Sequence, residues 1–309
     1  MADDFERILR ERVLLLDGAM GVMLLRHGTS NPDMLSLTHP GLVARVHDAY
    51  LAAGADIIET DTFSANELSQ RRHETAGRVR EMNIAAARIA RERTDACMDA
   101  DPSRPRFVGG SMGPAFDPLS SASEDKHPVG PEIRQKAYAD QAAALIEGGV
   151  DLLMIETVMD AADAGCALAG AREAMRRNGK EVPVTVAATI SGATGRLLSG
   201  HSPEEFLAAA APYAPAAVGF NCSEGPASLA GPVRHLTRHS PFPLILYPNA
   251  GLPDAKGGYG LGPDDFAAEL LSLLPEGIPA IAGGCCGTTP AHTAALARHL
   301  LYGKSGLLM

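Results

Sequence analysis

Eight short apolar runs alternate with Ala-rich helical segments, and no other feature restricts the fold of this chain as strongly. The runs are Val13 to Leu16, Asp56 to Glu59, Arg106 to Gly109, Asp151 to Ile155, Val182 to Ala188, Ala217 to Phe220, Pro243 to Tyr247 and Pro279 to Ala282. Between them Leu42 to Ala53, Val79 to Arg93, Ile133 to Glu147, Ala161 to Arg177, Pro203 to Ala211 and Asp264 to Leu274 show amphipathic helical spacing. Regular βα alternation calls for a parallel sheet, and eight units close into a barrel. The prediction is an α/β protein, a single (β/α)8 TIM barrel occupying residues 1–309 as one domain. A doubly wound open sheet would carry Gly-x-Gly-x-x-Gly after its first strand, and Asp17-Gly18-Ala19-Met20-Gly21 lacks that spacing.

Local punctuation agrees with this division. Ser202 precedes Pro203 with Glu204 and Glu205 in the first turn, and Thr289 precedes Pro290, both helix-start patterns. Ala53 to Asp56 and Gly148 to Asp151 look like helix C-caps leading into strands.

Composition excludes several classes of function. A net charge of −10 argues against nucleic-acid partners, because a phosphate backbone selects clustered Lys and Arg. Arg71, Arg72, Arg78, Arg80, Arg88, Arg91 and Arg93 are interleaved with Glu74, Glu81 and Glu92, the pattern of a solvated helix face. No apolar segment is long enough to span a bilayer, and Met1 to Arg12 is acidic and amphipathic rather than signal-like. Five cysteines without an export signal fit a reducing, cytoplasmic setting in which thiols persist.

Barrel sites collect at the carboxyl ends of the strands. There the chain places Asp17, Glu59, Asp61, Ser111, Glu156, Thr189, Asn221, Cys222, Asn249, Cys285 and Cys286. Cys222 follows one strand and Cys285–Cys286 another, so a parallel barrel can bring three sulfurs to one rim. Adjacent residues of a regular strand face opposite ways, and Gly283, Gly284 and Gly287 permit the break that would let both vicinal thiols converge. Three thiolates with one open position suit a catalytic Zn2+, one per chain. Cys97 and Cys166 lie in helical surroundings as small apolar filler, and His235 with His239 reads as a surface pair.

The motifs Asp17-Gly18-Ala19-Met20-Gly21, Glu156-Thr157, Gly219-Phe220-Asn221-Cys222, Pro248-Asn249-Ala250-Gly251 and Gly-Gly-Cys-Cys-Gly-Thr-Thr-Pro resemble those of homocysteine S-methyltransferases, from about residue 10 to about residue 302. Thr194-Gly195-Arg196, Ser199-Gly200 and Asn249 to Pro253 are most similar to the homocysteine-binding module of cobalamin-dependent methionine synthases. The resemblance implies a zinc-bearing barrel that methylates homocysteine to methionine. It also implies methylcobalamin on a partner as donor, with cobalamin- and folate-binding modules or subunits as partners. S-methylmethionine and betaine are alternative donors, and a noncatalytic homocysteine-binding sensor is an alternative of another class. The expected catalytic and metal residues are Cys222, Cys285 and Cys286. Gly18, Ala19 and Met20 are expected to meet the substrate carboxylate, and Glu156 and Asp17 its ammonium group. Asn221 and Asn249 are expected to order the surrounding loops.

Overall fold

The computed structural model describes residues 2–115 and 129–302. Its strands are β1 (Leu14–Leu15), β2 (Ile57–Glu59), β3 (Phe107–Met112), β4 (Leu152–Val158), β5 (Val184–Ala188), β6 (Ile190–Ser191), β7 (Arg196–Leu197), β8 (Ala217–Cys222), β9 (Leu244–Pro248) and β10 (Ala280–Ala282). Eight of them pair in parallel in the order β1-β10-β9-β8-β5-β4-β3-β2. A parallel bridge from Leu16 to Ile57 joins the two ends of that order, with Asp17 N donating to Ile57 O at 3.0 Å. The predicted α/β barrel is the observed fold. β6 and β7 form an antiparallel ribbon above the barrel that the strand pattern did not announce.

Side-chain alternation along the strands builds two cores. Leu14, Leu16, Ile57, Phe107, Met154, Ile245 and Ile281 fill the barrel interior. Their neighbours Leu15, Ile58, Val108, Leu153, Val218 and Leu246 face the surrounding helices. The N-terminal helix Ala2–Glu11 seals the amino-terminal end of the barrel by inserting Phe5, Ile8 and Leu9. Phe5 meets Phe107 edge to face at 5.4 Å, and its burial contributes about 1.5–3 kcal/mol. A cavity of about 930 Å3 lies beside this helix. It sits at the amino-terminal end, where barrels are built for stability rather than chemistry.

The predicted helices correspond to Pro40–Ala53, Val79–Ala100, Pro131–Gly148, Ala161–Asn178, Pro203–Ala210 and Pro263–Ser272. Ser202 and Glu205 form a reciprocal capping box, and Gly54 and Gly149 end their helices in the left-handed region, as the punctuation predicts. The Arg-rich run is more than a solvated face. Arg91 is largely buried and reaches Asp151 at 2.7 Å, tying the Val79 helix to the start of β4, and Arg93 bonds Asp48. Among the described residues, no helix is long and apolar enough to cross a membrane.

Candidate functional site

Three thiols meet at the carboxyl-terminal rim. Cys222 is the last residue of β8, while Cys285 and Cys286 follow β10 after two glycines. The Cys222 and Cys285 sulfurs are 3.0 Å apart and those of Cys285 and Cys286 are 4.0 Å apart, with all three within 4.8 Å of one another. Both vicinal thiols reach one point because β10 ends at Ala282 and the backbone beyond it is tethered. Cys285 N donates to Pro248 O at 2.8 Å, and Cys286 N donates to Asn249 Oδ1 at 2.9 Å. Gly287 then turns the chain at φ +83°, where any Cβ would lie 2.1 Å from the Tyr259 ring. The break in the pleat therefore depends on Gly287 at least as much as on the glycines before the pair.

Strain accompanies the site. Thr157 and Cys222 both adopt left-handed backbone, with φ 57° and 51°. For a β-branched residue such as Thr this is a rare conformation costing on the order of 1–3 kcal/mol. Thr157 lies within an irregularity of β4, between Ile155 and Val158, where the pairing register with β5 shifts. Asn221, fully buried, holds it there: its Oδ1 accepts from Thr157 N at 2.7 Å and its Nδ2 donates to Thr157 Oγ1 at 3.0 Å. The Thr157 hydroxyl in turn faces Cys222 Sγ at 3.7 Å.

Buried carboxyls surround the thiols. Glu156 accepts from the Ser111 hydroxyl and from Asn221 Nδ2, and burial pushes it up to about 7, with Cys286 adding to the effect. Glu59 is raised well above its ordinary value by burial and by the charges of Glu156 and Asp17. Burial does the same to Asp17, although its Oδ2 accepts from Glu59 N at 3.0 Å. Hydrogen bonds from Cys222 and Cys285 lower Cys286 to about 3, whereas Cys285 is pushed well up by the same cluster. A cation among these acids would reverse the penalty on every one of them.

A cavity of about 400 Å3 opens over the thiols. Of the predicted residues, Gly18, Ala19, Met20, Glu156, Cys222, Cys285 and Cys286 line it. Asp17, Asn221 and Asn249 lie behind the wall: Asp17 holds Glu59, Asn221 holds Thr157 and Glu156, and Asn249 holds Cys286. The Ala19 amide donates to Thr288 Oγ1 at 3.3 Å, and Thr288 also bonds Cys285 O, so this hydroxyl links the two rim loops. Glu59 and Ser111 also line the cavity. Their positions at strand ends were legible, but no role followed from position alone. Tyr247, fully buried in the barrel with an unpartnered hydroxyl close to Glu156 and Glu59, had no signal in the sequence beyond its place in a strand. Cys97 packs against the outer core, and His235 stacks on His239 at 4.5 Å, both away from the rim cluster.

Fold and rim together define a (β/α)8 protein whose cysteine cluster can hold one metal ion. The chain belongs to the homocysteine S-methyltransferase family, whose model matches residues 14–300. It is similar to the metallated form of the Escherichia coli homocysteine methyltransferase MmuM, with 25% identity over 93% of this chain and 96% of that one and a TM-score of 0.74. The apo form of the same enzyme aligns at 25% identity over 92% of this chain and 95% of that one, with a TM-score of 0.68. Homocysteine is the substrate of the family.

Proposed function

We propose that Cys222, Cys285 and Cys286 hold one zinc ion and that the barrel methylates homocysteine to methionine. The observation that carries this is the convergence of three sulfurs within 4.8 Å on the wall of a cavity that buried carboxyls also line. The donor set fits the ion. Zinc–sulfur bonds of about 2.3 Å imply tetrahedral S···S edges of about 3.8 Å, close to the 4.0 Å between Cys285 and Cys286 and longer than the 3.0 Å between Cys222 and Cys285, so that shorter pair must spread. The E. coli homologue is known in a metallated form, which agrees with this assignment.

When bound, zinc supplies Lewis acidity that keeps the substrate thiol deprotonated at neutral pH, where a thiol of pKa about 8.5 would be mostly protonated. The chain's own groups do the positioning. Glu156 and Glu59 take the homocysteine ammonium, with Asp17 behind them, and Gly18 and Met20 offer main-chain N–H groups to the carboxylate, the Ala19 N–H being taken by Thr288 Oγ1. Asn221 and Asn249 hold the rim in place. During transfer a bond forms between the homocysteine sulfur and the methyl carbon as the donor–methyl bond breaks, its electron pair staying on the donor. No side chain needs to move a proton in that step.

Two donor classes divide the proposal. Methylcobalamin on a partner module follows from the sequence motifs. A corrinoid is too broad for a cavity of about 400 Å3, so it would present its methyl group from outside. A small onium donor such as S-methylmethionine or betaine is favoured by the acidic lining. The test is to incubate zinc-loaded protein with homocysteine and each of the three donors and follow methionine by mass spectrometry. Homocysteine binding without turnover on any donor would refute the transferase proposal in favour of a sensor.

A further inference from the structure

The cavity contains two groups of carboxyls. The inner group, Glu59 and Glu156 with Asp17 behind them, lies beside the thiols, and the charge of Glu156 raises the other two. The outer pair, Asp33 and Asp61, lines another part of the same cavity. Asp33 is integrated into the fold: it accepts from Ser64 N at 3.3 Å and from Gln70 Nε2 at 2.9 Å, and Arg72 lies close enough to favour its charge.

Asp61 is different. It is 4% exposed and lines the cavity, yet its Oδ2 has no hydrogen-bond partner. An unpaired buried carboxyl oxygen costs on the order of 1–3 kcal/mol, a cost that the nearby Ser36 hydroxyl offsets only in part, since burial and Asp33 still hold Asp61 well above its ordinary value. Two residues on, Phe63 also lines the cavity and is 41% exposed, unusual for so large an apolar side chain. Gly113 explains how the ring is held. Its N–H donates to Phe63 O at 2.9 Å, and a Cβ at Gly113 would lie 2.8 Å from the ring. The bare glycine lets the ring rest against the end of β3, while its exposed surface adjoins the cavity.

We infer that Asp61 and Phe63, backed by Asp33, form a second subsite that takes the cationic methyl donor, a small sulfonium or quaternary ammonium. The assignment rests on the methyl-transfer chemistry proposed above. Two reactants must share one cavity, and the inner carboxyls are committed to the homocysteine ammonium. An onium charge is permanent and cannot be relieved by losing a proton, so it needs a carboxylate and an aromatic face rather than a hydrogen-bond acceptor alone. With a sulfonium, transfer breaks the S–CH3 bond, leaves its pair on the donor sulfur and makes a neutral thioether. With a quaternary ammonium, the pair stays on nitrogen and leaves a tertiary amine. In both cases Asp61 loses its permanent counter-ion at the moment of transfer, which favours exchange of spent donor for fresh.

The test is calorimetric titration of S-methylmethionine, and separately of betaine, into zinc-loaded full chain without homocysteine, using wild type, Asp61→Asn and Phe63→Leu. At least one ligand binds wild type, and the arm that binds distinguishes sulfonium from quaternary ammonium. Asp61→Asn weakens that binding about 10- to 100-fold and Phe63→Leu about 3- to 10-fold, while zinc content and homocysteine affinity stay within twofold of wild type. Should Asp61→Asn not fold, Phe63→Leu with the same readouts decides. Failure of both ligands to bind wild type, or wild-type binding by Asp61→Asn, overturns the subsite. Methionine formed only from methylcobalamin, with no onium binding, refutes the subsite and leaves the transferase proposal standing. Onium binding that depends on Asp61 without methionine formation does the reverse.

Discussion

Replacing Asn221 with Ala probes how the rim is held in shape. The substitution leaves the buried Thr157 N–H without its 2.7 Å acceptor, a loss of about 1–3 kcal/mol. It also removes the Asn221 Nδ2–Thr157 Oγ1 bond that helps hold Thr157 in left-handed backbone, a further loss of about 0.5–1.5 kcal/mol. A total near 3 kcal/mol follows, and at about 2 °C per kcal/mol for a barrel of this size the melting temperature falls by about 6 °C. Thr157→Gly identifies the mechanism. In wild type it relieves strain but forfeits the Oγ1–Asn221 bond, so the two effects nearly cancel. In the Asn221→Ala background that bond is already gone and only the relief remains, a recovery of about 1 kcal/mol or more. Chemical denaturation of the four zinc-loaded proteins closes the cycle. If Thr157→Gly shifts both backgrounds equally, Asn221 does not restrain Thr157, and the strain at the rim is not held by this pair.

Three further outcomes are expected. Cys222→Ala, Cys285→Ala and Cys286→Ala each lose zinc by elemental analysis and homocysteine binding by calorimetry while keeping wild-type circular dichroism, because the ligands sit at the rim; one equivalent of zinc retained in all three contradicts the metal assignment. Glu156→Ala weakens homocysteine binding about tenfold or more with zinc unchanged, since one carboxylate partner of the ammonium is removed; equal affinity takes Glu156 out of the site. Asp33 is raised from 3.8 to about 7 by burial, so the native state holds its proton more tightly than the unfolded chain. Its stabilising contribution is full below about pH 4 and is lost as pH rises to about 7, so the slope of melting temperature between pH 5 and pH 7.5 becomes less negative in Asp33→Asn; an unchanged slope refutes the shift.

Much of the architecture was legible because parallel strands buried on both faces leave short apolar runs, and because helix caps such as Ser202 and Gly149 carry local geometry in the residue type itself. Convergence of the three sulfurs was legible for a similar reason: glycines beside Cys285 and Cys286 announce irregular backbone. The ribbon of β6 and β7 was not, since two-residue strands leave no period to detect. Nor was the division of labour among the carboxyls. Asp17 and Glu59 both end strands, yet Asp17 turns back to bond the Glu59 amide while Glu59 reaches the cavity, a difference of side-chain direction that spacing cannot encode. The Asn221–Thr157 pair spans 64 positions, and its role depends on a positive φ that no property of Thr forecasts.

The distribution of acid groups makes sense once the site is considered as an assembly completed by cations. Three clustered thiols, an inner trio of carboxyls held towards their neutral forms and an outer unpaired Asp61 would each be a liability in an ordinary core. A metal ion at the sulfurs, an ammonium group at Glu59 and Glu156 and an onium at Asp61 would convert each liability into an ion pair in a place of low dielectric. The cavity then discriminates by charge before it discriminates by shape. A neutral thiol lacking the ammonium would leave the inner carboxyls unpaired, so the same groups that destabilise the empty cavity select the amino-acid substrate.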